Sequence, residues 1–290
     1  MKYHKERVIS GPGVEGAEFA QALRGLAVDA HDRLYAVGDS KVVVFTPQGK
    51  ALKTWMTERP GFCAAVSPDE KIYVGEQGQV QVFDAEGKLL DTWRDEQRMQ
   101  LVCSIDFASD AVLLADVGQR CIRRYDKTGR HVGDIGRDNR MKGFLIPNRQ
   151  LDFVVDAKNV IHACNPGKHR VEHYSLEGKL LGRFGRFGGG SDPTGFTGCC
   201  NPTNVALLSG GRFAVTTKAE PLVKIYSPEG KMLALFGAGD FDPGCKNMDA
   251  AVDSTDRIYV IDTVNLRIIV YAPDKPEAST DGDDRKAGKP

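Results

Sequence analysis

Apolar residues along this chain fall in short runs of about five, rich in Val, Ile, Tyr and Phe and bounded by Gly, Asp and Pro. Such runs predict β-strands and not helices, because β-branched and aromatic side chains suit a pleated, half-buried surface. The runs come in sets of three that end on an aromatic residue, followed by a short turn and a fourth run. In the first set these are LRGLAVDA, RLYAVG and KVVVF, then the turn TPQGK and the run ALKTW. Phe45, Phe83, Tyr125, Tyr174 and Tyr226 each stand four residues before a Gly that is followed by Lys or Arg, whereas a sixth aromatic, Tyr271, has no such Gly. Self-similarity of this kind marks one supersecondary unit stacked on copies of itself, each burying a face that it could not bury alone.

From the apolar residue ending the first strand to the aromatic of the third, the six separations stay between 17 and 19 residues. That constancy predicts rigid four-stranded antiparallel meanders. Six of them at this spacing predict an all-β, six-bladed β-propeller. The last unit stops after its third strand, so a segment from the N-terminus, expected at residues 6–10, is needed to pair beside Tyr271, complete the blade and close the ring. Nothing linker-like interrupts residues 1–272, which read as a single domain. Residues 273–290 are rich in Asp, Lys, Gly and Pro and read as a disordered tail.

Lys plus Arg equals Asp plus Glu, 39 against 39, which removes any overall attraction to nucleic acid or anionic lipid. A local basic stretch, Arg120, Arg123, Arg124, Arg137, Arg140 and Lys142, leaves RNA binding as a third possibility. The first residues lack the apolar run of a secretory signal, and no run is long enough to span a membrane. As written, the chain is expected to be soluble, cytoplasmic and monomeric; a signal removed upstream would make it extracytoplasmic. Seven cysteines, an odd number in a chain of 290 residues, argue against a disulfide framework.

The stretch RIYVIDTVNLRIIVY at residues 257–271, and less fully CNPGKHRVEHY at 164–174, resembles the NHL-repeat family: a tyrosine strand ending in Asp, then Asn-x-Arg-Ile and an aromatic. The resemblance covers nearly all of the chain except the tail, and it implies a six-bladed propeller. Members of that family include scaffolds, RNA readers, a peptide-amide lyase and lactonase-like relatives, so the resemblance leaves the activity open.

The loops that enter each inner strand vary most in length, from 17 to 30 residues between the turn Gly and the end of the next inner strand. A binding surface is therefore expected on that face. All seven cysteines fall toward the same end of the strands. Cys63, Cys103 and Cys121 read as small buried hydrophobes. Cys164 occupies a place held by Asp116 and Asp262, with Glu76 and Thr217 at related positions, so that a polar rim at the channel mouth is expected. With His162, which lies on the same side of its strand, Cys164, Cys199, Cys200 and Cys245 form a candidate site for a thiophilic metal such as Zn or Cu; a disulfide or inert thiols are the competing readings.

A second candidate is a hard-metal site, in which Glu76, Asp116, Asn204 and Asp262 offer oxygens to Ca2+ at the channel mouth, as in lactonase-like propellers. No general base or nucleophile stands out beside it. The glycines of FGRFGGGSDPTGF at residues 184–196 lack the Lys and Ser or Thr of a phosphate cradle and read as a mobile lid; no nucleotide or flavin is expected. His169 and His173 read as surface residues, and Asp29, Asp156 and Asp253 as turn caps. The preferred reading is a binding or scaffold protein, with a protein or small-molecule ligand on the loop face and enzymatic activity left open; the alternative is a metal-dependent hydrolase or lyase.

Overall fold

The computed structural model describes residues 1–9, 18–137, 143–188 and 192–274. Arg140, Lys142, the three glycine-rich positions 189–191 and the tail from residue 275 onward lie outside the described residues. Six four-stranded antiparallel sheets form the ring. The first blade is β2 (Gly25–Val28), β3 (Leu34–Gly38), β4 (Lys41–Phe45) and β5 (Ala51–Met56), and the second is β6 (Cys63–Val66), β7 (Ile72–Gly75), β8 (Gln79–Phe83) and β9 (Leu89–Arg94). The third contains β10 (Val102–Phe107), β11 (Val112–Asp116), β12 (Cys121–Tyr125) and β13 (His131–Ile135). The fourth contains β14 (Phe153–Val155), β15 (Ile161–Asn165), β16 (Arg170–Tyr174) and β17 (Leu180–Phe184). β18 (Asn204–Leu207), β19 (Phe213–Thr217), β20 (Leu222–Tyr226) and β21 (Met232–Phe236) make the fifth, and the sixth runs β22 (Ala250–Val252), β23 (Ile258–Asp262), β24 (Arg267–Pro273) and β1 (Tyr3–Ile9).

The burial of each strand follows its radius in the ring. Second and third strands are buried on both faces, as in LYAVG of β3 and IYVID of β23, and so read as unbroken apolar runs. Fourth strands face solvent on one side and alternate, as in ALKTWM of β5 and MLALF of β21. The core is six apolar clusters, one at each junction between neighbouring blades.

The repeated turn glycine has a physical cause at Gly87 and Gly129. Their φ values of +85° and +80° lie in the left-handed region, and an added Cβ would come within 2.6 Å of Trp55 and 2.8 Å of Trp93 on the outer strand of the preceding blade. The turn caps are as the sequence suggests. Asp29 accepts from the backbone N–H groups of His31 and Arg33, Asp156 from Lys158 and Val160, and Asp253 from Thr255 and Arg257. Tyr35 and Tyr259 add hydroxyl bonds of 3.1 Å to Asp29 and Asp253.

Closure occurs as expected but with a longer strand. β1 pairs antiparallel with β24 from Tyr3 opposite Pro273 to Ile9 opposite Ile268, three residues earlier at its start than the sequence suggests, and Ser10 lies outside the described residues. The charged segment His4, Lys5, Glu6 does not look like a strand, yet an outer strand tolerates it because one side is wet. Tyr3 anchors the start by stacking on Phe236 at 4.9 Å, and Ile9 is buried at the end. Among the described residues no helix is long and apolar enough to cross a membrane.

Removing residues 1–9 bares the backbone of β24, so the truncated chain is expected to unfold several degrees lower, at about 2–4 °C per kcal/mol lost, and to self-associate. Thermal unfolding with light scattering checks this; an unchanged midpoint and a monodisperse sample would contradict closure by β1.

Candidate functional site

The innermost strand of each blade is a sheet edge, so its channel-side N–H and C=O groups have no ladder partner. Side chains of neighbouring blades supply the partners. Five positions correspond by pairing register, Gly25, Cys63, Asp152, Asn204 and Asp249; in the third blade that place is Ser104, and Cys103 stands beside it at a bulge. Cys63 Sγ donates to the Val102 carbonyl at 3.6 Å, and Cys103 Sγ to the Leu151 carbonyl at 3.0 Å. Asp152 accepts from the Val205 N–H at 2.7 Å; Asn204 Nδ2 donates to Asp249 at 3.2 Å; Asp249 accepts from the Leu26 N–H at 2.8 Å. At Gly25 an added Cβ would sit 2.6 Å from Cys63 Cα, so backbone meets backbone there. Asp106 repeats the device at the far end of β10, accepting from the Val155 N–H at 2.6 Å.

These carboxyls are held away from water, and burial raises them: Asp249 and Asp106 to about 6, and Asp152 well above its ordinary value, with Asp249 as its next largest influence. Burial likewise pushes the Cys63 and Cys103 thiols up, which makes them weak nucleophiles.

Above this ring, at the face of the entering loops, lies a cavity of about 360 Å3. Arg24, Arg149 and Lys246 line it together with Gln21, Asn148, Gln150, Asn247 and Thr263, over an apolar side made by Leu23, Phe62 and Leu101. No Asp or Glu lines it, and none of the three cations makes an ion pair among the described residues. The Arg24 guanidinium lies 4.4 Å from the Phe62 ring centre, a cation–π contact that holds it in place without neutralising it. Asn148 Nδ2 donates to Asn247 at 3.0 Å, while Asn148 Oδ1 is buried with no partner among the described residues. Two larger cavities, of about 590 and 740 Å3, lie among the hairpin turns of the opposite face. Both mix charges of opposite sign, Asp69 and Asp156 with Lys71 and Lys127 in one and Asp156 with Lys158 in the other.

The cysteines share one end of the strands but do not converge. Only Cys199 and Cys200 meet, with sulfurs 2.8 Å apart. Cys164 is fully buried in the apolar junction between the fourth and fifth blades, against Phe196 and Val205 among others. Cys245 donates to Asp262 Oδ1 at 3.1 Å in the next junction. His162 does lie on the Cys164 side of β15, yet its Nδ1 is 2.6 Å from Nδ1 of His173 and its ring packs on Phe213. Among the described residues no group of three or more His, Cys, Asp or Glu is arranged to hold a metal ion.

The acidic rim also resolves differently. Cys164 is not the counterpart of Asp116 and Asp262; Asn165 is, because it closes β15 and faces Arg170 as Asp262 faces Arg267. Asp116, Asp262 and Glu76 point into the blades and not into the channel. Asp116 caps the backbone of Gln100 and Leu101 and pairs with buried Arg123 at 3.2 Å; Asp262 serves Cys245, Asn265 and Arg267. Asn204 alone of the four belongs to the channel ring. Asp152 and Asp249 were passed over by the sequence reading, although Cys103, Asp152, Asn204 and Asp249 all stand 22 residues before the aromatic of their unit.

Other sequence candidates are consumed by structure. Within the basic stretch Arg123 is tied to Asp116 and Asp134, Arg137 to Asp134 and Arg124 to Asp110. His173 is half-buried and pushed down to about 4 by burial. The C-terminal flank of the glycine-rich loop is fastened to β20 by the buried Lys224 Nζ, which donates to the carbonyls of Pro193 and Gly195 at 2.8 and 2.6 Å.

No protein-family profile and no curated protein matches the chain. Solved structures do match it in shape. A protein of unknown function from Bacteroides thetaiotaomicron superposes with a TM-score of 0.70 at 13% identity, covering 93% of this chain and 76% of that one. Virginiamycin B lyase from Staphylococcus aureus gives 0.63 at 9% identity, covering 94% and 100%, and its catalytically inactive histidine-to-alanine variant with quinupristin gives 0.61 at 9% identity over the same shares. The WD40 β-propeller domain of Doa1 gives 0.61 at 14% identity, covering 87% and 79%. At such identities the likeness establishes the propeller fold alone.

Glu76 offers a test of the buried carboxyls. Its Oε2 accepts from Gln79 at 2.5 Å, its Oε1 has no partner, and burial raises it from 4.5 to about 7. A raised folded value means stability that is complete below 4.5 and lost as pH rises through about 7. Glu76→Gln keeps the acceptor and removes that loss, so the variant is expected to gain on the order of 1–3 kcal/mol over the parent on going from about pH 5 to about pH 8. Denaturant unfolding at both pH values checks it; a constant difference would show that Glu76 is not buried as described.

Proposed function

We propose that the chain is an NHL-type propeller that acts as a binding module, and that the channel mouth on its loop face takes a small molecule or peptide side chain bearing a carboxylate or phosphate. The observation behind this reading is the trio Arg24, Arg149 and Lys246 in one cavity, with no ion pair and no acidic neighbour in its lining among the described residues. Amide groups of Asn148, Asn247, Gln150 and Gln21 would complete hydrogen bonds to such a group, and Phe62 and Leu101 would cover its carbon skeleton. Guanidinium and ammonium groups suit this chemistry because bonds to a charged acceptor are stronger than neutral ones.

The lyase reading has less support. The inactive variant of virginiamycin B lyase lacks a histidine, and no histidine lines this channel mouth. The hard-metal version is weakened by the inward aim of Glu76, Asp116 and Asp262, and the thiophilic-metal version by the separation of Cys164, Cys245 and His162 from the Cys199 and Cys200 pair. RNA binding is weakened by the pairing of Arg123, Arg124 and Arg137 with Asp116, Asp110 and Asp134.

Isothermal titration with citrate and with inorganic phosphate at low salt tests the proposal. At least one anion is expected to bind, more weakly as salt rises, and Arg149→Ala with Lys246→Ala should weaken it roughly ten- to a hundredfold, the worth of one or two charged hydrogen bonds. Absence of binding by both anions, or equal affinity in the double variant, would overturn it.

A further inference from the structure

The loop that enters the fifth blade carries chemistry that the channel mouth does not use. Cys199 and Cys200 are adjacent in sequence, their sulfurs are 2.8 Å apart, and their surroundings differ. Cys199 is exposed and Cys200 is buried. The hydrogen bond from Cys200, together with the charge of Lys218, holds the Cys199 thiol below its ordinary value, while burial pushes Cys200 up. The loop is fixed against the end of the fifth blade's second strand: Asn201 Nδ2 donates to the carbonyls of Thr197 and Lys218 at 2.7 and 2.8 Å, and Asn201 Oδ1 accepts from the Lys218 N–H at 2.8 Å. That clamp keeps the Lys218 cation beside the thiols. The other five cysteines are buried.

We propose that Cys199 and Cys200 are a hydroperoxide-responsive thiol pair, with Cys199 as the attacking sulfur and Cys200 as the resolving one. The Cys199 thiolate attacks the terminal oxygen of a hydroperoxide; the O–O bond breaks, the alcohol or water leaves with a proton, and Cys199 becomes a sulfenic acid. Cys200 gives up its proton and its sulfur attacks Cys199, expelling water and closing a disulfide between adjacent residues. The sum consumes two thiols and one hydroperoxide and yields one disulfide, one alcohol or water, and one further water. The two sulfurs lose two electrons and the O–O bond gains them. An accessible sulfur with its thiol held below the ordinary value next to a resolving partner is the arrangement that favours this path over deeper oxidation.

Graded hydrogen peroxide followed by alkylation and peptide mass analysis tests this on the full chain. The peptide bearing residues 199 and 200 is expected to become two hydrogens lighter and resistant to alkylation, faster than glutathione oxidises in the same solution, and to revert with dithiothreitol, while the other five thiols stay reduced. Cys200→Ser should stop at a sulfenic acid on Cys199 that dimedone traps, and Cys199→Ser should leave Cys200 reduced. Both thiols of the unmodified protein remaining alkylatable once glutathione is oxidised would overturn the proposal, as would equal oxidation of Cys200 in Cys199→Ser.

Discussion

The structure depends on how the innermost edge of each sheet finds hydrogen-bond partners. A propeller places six such edges around its channel, where a buried amide or carbonyl left unpaired costs about 1–3 kcal/mol. Here the partners come sideways from the preceding blade: thiols from Cys63 and Cys103 and carboxylates from Asp106, Asp152 and Asp249, while the Asn204 amide links to the Asp249 carboxylate and Gly25 lets two blades approach closely. Each link joins two blades, so the groups that satisfy the edges also set the spacing of the ring. β1 does the corresponding work at the perimeter by covering β24.

This arrangement decides the electrostatics above it. The carboxyls nearest the channel are committed to backbone N–H groups below the loops, and burial pushes them toward their neutral forms. Their recorded bonds go to those N–H groups and not to the cations of the loop face. Elsewhere arginines are matched inside the protein, as Arg123 is with Asp116 and Asp134. Among the described residues Arg24, Arg149 and Lys246 converge without an ion-pair partner at a mouth rimmed by amides, and the anion site proposed above rests on this contrast, since the whole chain carries no net charge.

The architecture was legible because its causes are local. A turn Gly that must take positive φ and lie against the preceding blade's outer strand leaves a mark at every repeat, and a missing fourth strand announces that another segment must close the ring. The site was less legible because it depends on radius and on which side of a strand a residue faces. One residue of offset moved Cys164 from the expected polar place into an apolar junction and gave that place to Asn165. Asp116 and Asp262, which carry the right chemistry for a metal, are turned toward backbone amides and arginines. Asp152 and Asp249 look like ordinary loop residues before a strand, and only their shared distance from the repeat's aromatic marks them. The cations are harder still to find, since Arg24, Arg149 and Lys246 come from three separate loops with no common motif.

The most direct measurement is arginine labelling with phenylglyoxal, mapped by mass spectrometry with and without citrate. If the channel mouth holds free guanidinium groups poised for an anion, Arg149 and Arg24 are modified early and citrate slows both, while Arg123 stays unmodified in either condition. Equal labelling of Arg149 and Arg24 with and without citrate, or early labelling of Arg123, would contradict the account.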